Sequence, residues 1–262
     1  MGDEAARVLS DIALDIDPAD VLRFQGYRAE AAPPGPDVVV LFEEAMALGR
    51  RLMAPRAVVR WLPVTGASHD RLDVAGEALH LPGIAARWGA IEFAVVALCT
   101  VGEAVEQHVA QLWEARELPL AAMLDSVGSG ATESLAEYVN DVLCQEGLAR
   151  GLRVTNRISP GYRPWDVAEQ QTLFRLCPAA SIGISLNDAC FMTPGKSISF
   201  LVGAGSHARV DDYFSQCARC WMTACAFRRV PLRRSVGMGG LEGPLKPPLR
   251  SGPPRGTRGA PR

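Results

Sequence analysis

The chain has 262 residues, room for one large domain or a domain with appendages. A hydrophobic content of 48% provides for a substantial core, and a net charge of −2 excludes a partner chosen by bulk charge. The charge is uneven: from Arg228 onward there are nine Lys/Arg and one acid, Glu242, which leaves 18 basic and 28 acidic residues in 1–227.

In chain order, PADVLRFQGY (18–27) reads as a short helix, with Asp17 as N-cap, Pro18 in the first turn and Gly26 as its stop. The connector AAPPGP follows, and then Val40, Leu41, Met46, Leu48 and Leu52 give residues 37–53 a helical period. AVVRWLPV (57–64) and EFAVVAL (92–98) read as strands, and Gly102 to Arg116 returns to helix. The longest helical signal runs from Leu118 to Leu148. Its apolar stripe is Leu120, Leu124, Val127, Ala131, Leu135, Val139 and Val142, at spacings of three and four. Gly128-Ser129-Gly130 interrupts this pattern and marks close approach of another backbone or of a ligand, with tight helix packing as the alternative.

RISPGYRPW (157–165) comes next, where Pro160 and Pro164 forbid a helix and a central strand. DVAEQQTLFRL (166–176) reads as helix, SIGISL (181–186) and SISFLV (197–202) as strands, and MTPGKS between them as a turn. Helices and strands mix without a regular βαβ beat, so the expected class is α+β. From Val230 the chain is rich in Gly, Pro and Arg without an aliphatic pattern, and a disordered tail is expected. No apolar run approaches the roughly 18 residues of a membrane span. The start, MGDEAARVLSDIALDID, lacks the order of a signal peptide. Seven cysteines, an odd number, fit a cytosolic protein with reduced thiols better than a disulfide scaffold.

Three groups of residues carry chemistry. Arg157, Gly161 and Tyr162 form R-x-x-x-G-Y. They combine a rigid fork for a carboxylate, room for close backbone approach, and a ring with a hydroxyl. That set suits a small ligand with a carboxylate and a flat or cationic group, a surface turn being the alternative. Glu133 and Glu137, four apart on the long helix, share a face and invite a cation, whether a protein arginine or a ligand amine. Cys217-x-x-Cys220-x-x-x-x-Cys225 suits zinc or part of an iron–sulfur cluster, with Cys190 or His207 as a fourth ligand, or else free thiols. The four histidines are dispersed, and no G-x-S-x-G elbow or Walker loop occurs, so hydrolase and NTPase readings lack support.

PGYRPWDVAEQQTLFRL followed by IGISLNDACFMTPGKSIS resembles the activation domain of cobalamin-dependent methionine synthases. More specifically, it resembles the stand-alone activation-domain proteins found beside corrinoid proteins in some bacteria. That family carries R-x-x-x-G-Y, a Gln-rich or acidic helix, IG-[VI]-[ST]-L and Met-x-Pro-x-[KA]-S-[VI], and all stand here in order. VLRFQGYR (21–28), TVGEAVEQHV (100–109), TESLAEYVND (132–141) and CARCWMTACAFR (217–228) extend the likeness from Ile16 to Arg228.

The resemblance implies long central helices on a mostly antiparallel sheet. It implies an extension over 1–15, the domain at 16–228 and a tail at 229–262. It also implies S-adenosylmethionine as ligand, with Arg157 gripping the methionine carboxylate, Gly161 and Tyr162 approaching the ligand, and Glu133 and Glu137 facing its cationic groups. The family's ligand tyrosine beyond MTPGKS has no clear match, Tyr213 being the nearest. No D-x-H-x-x-G cobalamin signature occurs. The implied function is therefore an accessory subunit, with cobalamin on a partner methionine synthase or other corrinoid methyltransferase and a separate electron donor. Neither nucleic acid nor membrane is implied as a partner. A thiol–metal electron-transfer or sensing module built on Cys217, Cys220 and Cys225 is the alternative.

Overall fold

The computed structural model describes residues 4–27, 34–162 and 164–210. The chain divides into two units, Met1–Tyr213 and Phe214–Arg262, and all described residues lie in the first. A short strand β1 (Arg7–Leu9) precedes helix α1 (Pro18–Phe24). Asp17 caps α1 by accepting from Ala19 N, and Pro18 fills the first turn, where an N–H would find no helical partner. Helix α2 (Pro36–Leu52) leads into the long strand β2 (Arg56–Ser68), then the hairpin of β3 (Arg71–Val74) and β4 (Glu77–His80). A short helix α3 (Ile84–Trp88), strand β5 (Gly89–Ala90) and strand β6 (Phe93–Thr100) follow. Helix α4 (Ala104–Glu114) and helix α5 (Leu118–Ala149) come next, then strand β7 (Arg153–Val154). A 3-10 turn (Val167–Glu169) runs into helix α6 (Gln170–Leu176), and a second 3-10 turn spans Ala179–Ile182. Strands β8 (Ser185–Leu186), β9 (Met192–Thr193), β10 (Ser197–Gly205) and β11 (His207–Ala208) complete the order.

The main sheet runs β4-β3-β2-β6-β10-β7, with β1 also paired to β2. Every strand pairing among the described residues is antiparallel. Strand β6 is the middle of the sheet, paired along its length to β2 and to β10. All eight of its residues are buried, which explains the unbroken apolar run FAVVALCT: both faces are covered, so neither demands polar alternation. Val95, Ala97 and Cys99 join the core beneath α5, while Ala94, Val96 and Leu98 join a second core with Trp165, Leu173 and Leu176. Helices α1, α2 and α4 pack on α5, which in turn lies against β6, β7 and β10. The expected α+β arrangement of long helices on an antiparallel sheet is what the chain forms.

Two local expectations are corrected. SIGISL is not one strand: Ala179–Ile182 forms a 3-10 turn, and only Ser185–Leu186 is extended. Buried Ala179, Ile182 and Ile184 make this stretch apolar because they plug the second core, not because they line a strand. Nor does Gly128-Ser129-Gly130 interrupt α5, which is continuous through it. A Cβ at Gly128 would stand 3.0 Å from Val105 Cγ1 of α4 and 3.3 Å from Lys196 Cε, and one at Gly130 would stand 3.0 Å from Val21 Cγ2 of α1. The glycines serve tight packing, including a lysine stem laid across the helix.

Candidate functional site

The site begins with helix periodicity. Four-residue spacing puts Asp125, Ser129, Glu133 and Glu137 on one stripe of α5. Glu133 Oε2 accepts from Arg157 Nη2 at 2.9 Å. Both side chains are largely shielded, 17% exposed for Arg157 and 27% for Glu133, so their attraction exceeds that of an open surface pair. The guanidinium carbon lies 5.8 Å from the Phe200 ring centroid, within cation–π range. Ile158, the next residue, exchanges backbone hydrogen bonds with Leu201 of β10, which fixes Arg157 against the sheet. The arginine's charge opposes, without overcoming, the burial that holds the Cys99 thiol far above its ordinary range.

After Arg157 the chain makes a braced turn. Ser159 is buried, Gly161 sits at φ +89°, and Gly161 N donates to Trp165 O at 3.1 Å. Trp165 N donates in return to Tyr162 O at 2.9 Å. Trp165 is buried in the second core and anchors the turn, while Tyr162 is 50% exposed at its tip. The structure thus brings Arg157 and Glu133 into contact and sets Gly161 and Tyr162 on the same loop. Glu137 lies one turn along α5, partly buried.

A second cation at this face escaped the reading of the sequence. Lys196 Nζ lies 2.7 Å from Asp125 Oδ1 and donates to Ser129 Oγ at 2.9 Å, while Ser129 donates to Asp125 O at 3.1 Å. Gly195 N donates to Glu106 Oε2 of α4 at 2.9 Å, so the MTPGKS turn is fastened to two helices. The sequence signal for it is the four-residue ladder from Asp125 to Glu137 together with the lysine of the MTPGKS turn.

Cys217, Cys220, Cys225, Arg163 and Tyr213 lie outside the described residues. Among the described residues, no group of three or more His, Cys, Asp or Glu is placed to hold a metal ion. Cys99 and Cys177 are buried thiols, and burial pushes Cys177 up to about 12.

Known proteins share the fold of the chain. A solved structure described as the MetH reactivation domain bound to AdoHcy superposes with a TM-score of 0.55. It is 15% identical, and the match covers 81% of each chain. No curated protein sequence matches the chain. The family profile described as "Vitamin B12 dependent methionine synthase, activation domain" matches residues 89–220, half of the chain, a span that holds Glu133, Glu137, Arg157, Gly161, Tyr162 and Lys196. The chain belongs to the vitamin B12-dependent methionine synthase activation domain family.

Proposed function

We propose that this protein binds S-adenosylmethionine on the stripe of α5 that carries Glu133 and supports reductive remethylation of a corrinoid held by a separate protein. The observation that carries this reading is the 2.9 Å Arg157–Glu133 pair inside the span matched by the family. A ligand with an amino-acid end brings a carboxylate for Arg157 and an ammonium for Glu133, exchanging one ion pair for two without stranding a charge. The AdoHcy named for the structural neighbour belongs to the same ligand class. S-adenosylmethionine, when bound, supplies the methyl group, and a separate donor supplies the electron that an oxidised corrinoid needs. On this reading Arg157 and Glu133 hold the amino-acid end, and Gly161 and Tyr162 of the same loop approach the ligand.

Isothermal titration tests the reading. The wild-type chain binds S-adenosylmethionine, and Arg157→Ala weakens binding by roughly 1.5–3 kcal/mol, the scale of a charged hydrogen bond. A wild-type protein with no measurable affinity overturns it.

The accessory role places the protein in the cytosol beside a corrinoid methyltransferase and an electron donor. No helix among the described residues is long and apolar enough to cross a membrane. A second reading rests on the spacing of Cys217, Cys220 and Cys225, which suits zinc or an iron–sulfur cluster able to relay that electron.

A further inference from the structure

We infer that Lys196 is a positioning residue for the candidate site: it fixes α5 against β10 so that Glu133 meets Arg157. The inference rests on the S-adenosylmethionine reading and adds a residue to it. The two partners of the ion pair ride on different elements. Glu133 belongs to α5, whereas Arg157 is tied to β10 through the paired backbone hydrogen bonds of Ile158 and Leu201. Apolar packing between helix and sheet is non-directional and leaves small slides open. A directional tie is needed to hold one oxygen opposite one guanidinium.

Lys196 supplies that tie. It stands one residue before β10, and its backbone O accepts from Val101 N at 3.1 Å beyond the end of β6. Its side chain crosses α5 over Gly128, with Cε and Cδ 3.3 and 3.4 Å from where a Cβ would stand. Its ammonium then reaches Asp125 at 2.7 Å and Ser129 at 2.9 Å. Lys196 is 14% exposed and Asp125 52%, so the lysine end of the contact is shielded while the carboxylate end meets solvent. Ser129 is one helical turn from Glu133, about 6 Å along the axis. Lys196 and Arg157 therefore grip consecutive turns of one helical stripe from the strand side. Releasing the first lets the second drift, and a shift of a fraction of an ångström changes the placement of Glu133 relative to Arg157 that the two charged ends of the ligand must both meet.

The test is a double-mutant cycle on S-adenosylmethionine affinity with Lys196→Met, which keeps the stem and removes the charge, and Arg157→Ala. Lys196→Met alone weakens binding several-fold, up to about tenfold, in keeping with loss of a part-buried charged hydrogen bond. In the Arg157→Ala background the same change has almost no further effect, because what Lys196 positions is already gone. A purely structural lysine would lower the melting temperature and give independent, multiplicative losses of affinity. Where Lys196→Met fails to fold, Asp125→Asn makes the same cycle from the other side of the contact. Wild-type affinity in Lys196→Met (or, where it is used instead, Asp125→Asn), or multiplicative losses in the double variant, overturns the inference and leaves the binding reading intact. A wild-type protein that does not bind overturns both.

Discussion

At the scale of single residues, the pairing of Glu133 with Arg157 makes a distinction that composition could not. An acid four residues from another on a helix is usually a solvated face, yet here it meets a partner 24 positions away. Glu133→Gln keeps the shape and removes the charge. It weakens S-adenosylmethionine binding by about 1 kcal/mol or more in titration, and a variant that binds as well as wild type would remove Glu133 from the site.

Away from the site, Glu92 accepts from Ser206 N and Ser206 Oγ, both at 2.7 Å, and these bonds hold its carboxyl below the ordinary value of 4.5. A depressed folded-state value contributes stability that is present above pH 4.5 and lost as pH falls below it. Denaturation midpoints measured from pH 6 to pH 3 therefore fall less steeply for Glu92→Gln than for wild type.

The thiols divide by burial. Cys99 and Cys177 are raised chiefly by desolvation, while Cys190 is partly exposed between β8 and β9. Among these three, a brief iodoacetamide pulse at pH 8 followed by peptide mass analysis finds Cys190 labelled first. Equal labelling of Cys99 would contradict the burial described.

At the scale of elements, what was legible in the sequence depended on length and on which principle dominated locally. The apolar stripe from Leu120 to Val139 exposed α5 because periodicity accumulates over many turns, and the cap at Asp17 exposed α1 because its chemistry is local. The hairpin of β3 and β4 was not seen, since its four-residue strands RLDV and EALH carry charges and offer too few alternations to read. SIGISL misled for the opposite reason: tertiary burial of Ile182 and Ile184 imitated a strand pattern. Of the site, R-x-x-x-G-Y and the two glutamates could be named in advance. Their contact could not, because it depends on how α5 crosses β10, and Lys196 stayed hidden for the same reason.

One crossing is testable at this scale. A Cβ at Gly205, the last residue of β10, would stand 2.8 Å from Ala90 O, 3.0 Å from Ile91 Cα and 3.1 Å from Glu92 N. All three are backbone atoms that no rotamer change can move. Gly205→Ala therefore destabilises the fold by about 1–3 kcal/mol, and thermal melting reads the loss.

At the scale of the whole molecule, the chain belongs to the vitamin B12-dependent methionine synthase activation domain family, and the first unit holds the candidate ligand residues. Visible absorption and metal analysis of anaerobically purified full-length protein decide the reading of Cys217, Cys220 and Cys225, and a colourless, metal-free preparation removes it. The central position of β6 has a practical consequence here. Its amides are hydrogen-bonded within a sheet flanked on both sides and covered on both faces, so their protons exchange with deuterium only when the entire unit opens. A ligand that binds only the folded state slows that exchange by the factor of one plus its concentration over its dissociation constant, equivalent to about 2.7 kcal/mol at a hundredfold excess. The buried middle strand thus serves as a built-in affinity gauge, able to rank S-adenosylmethionine against any rival ligand without a label or a turnover assay.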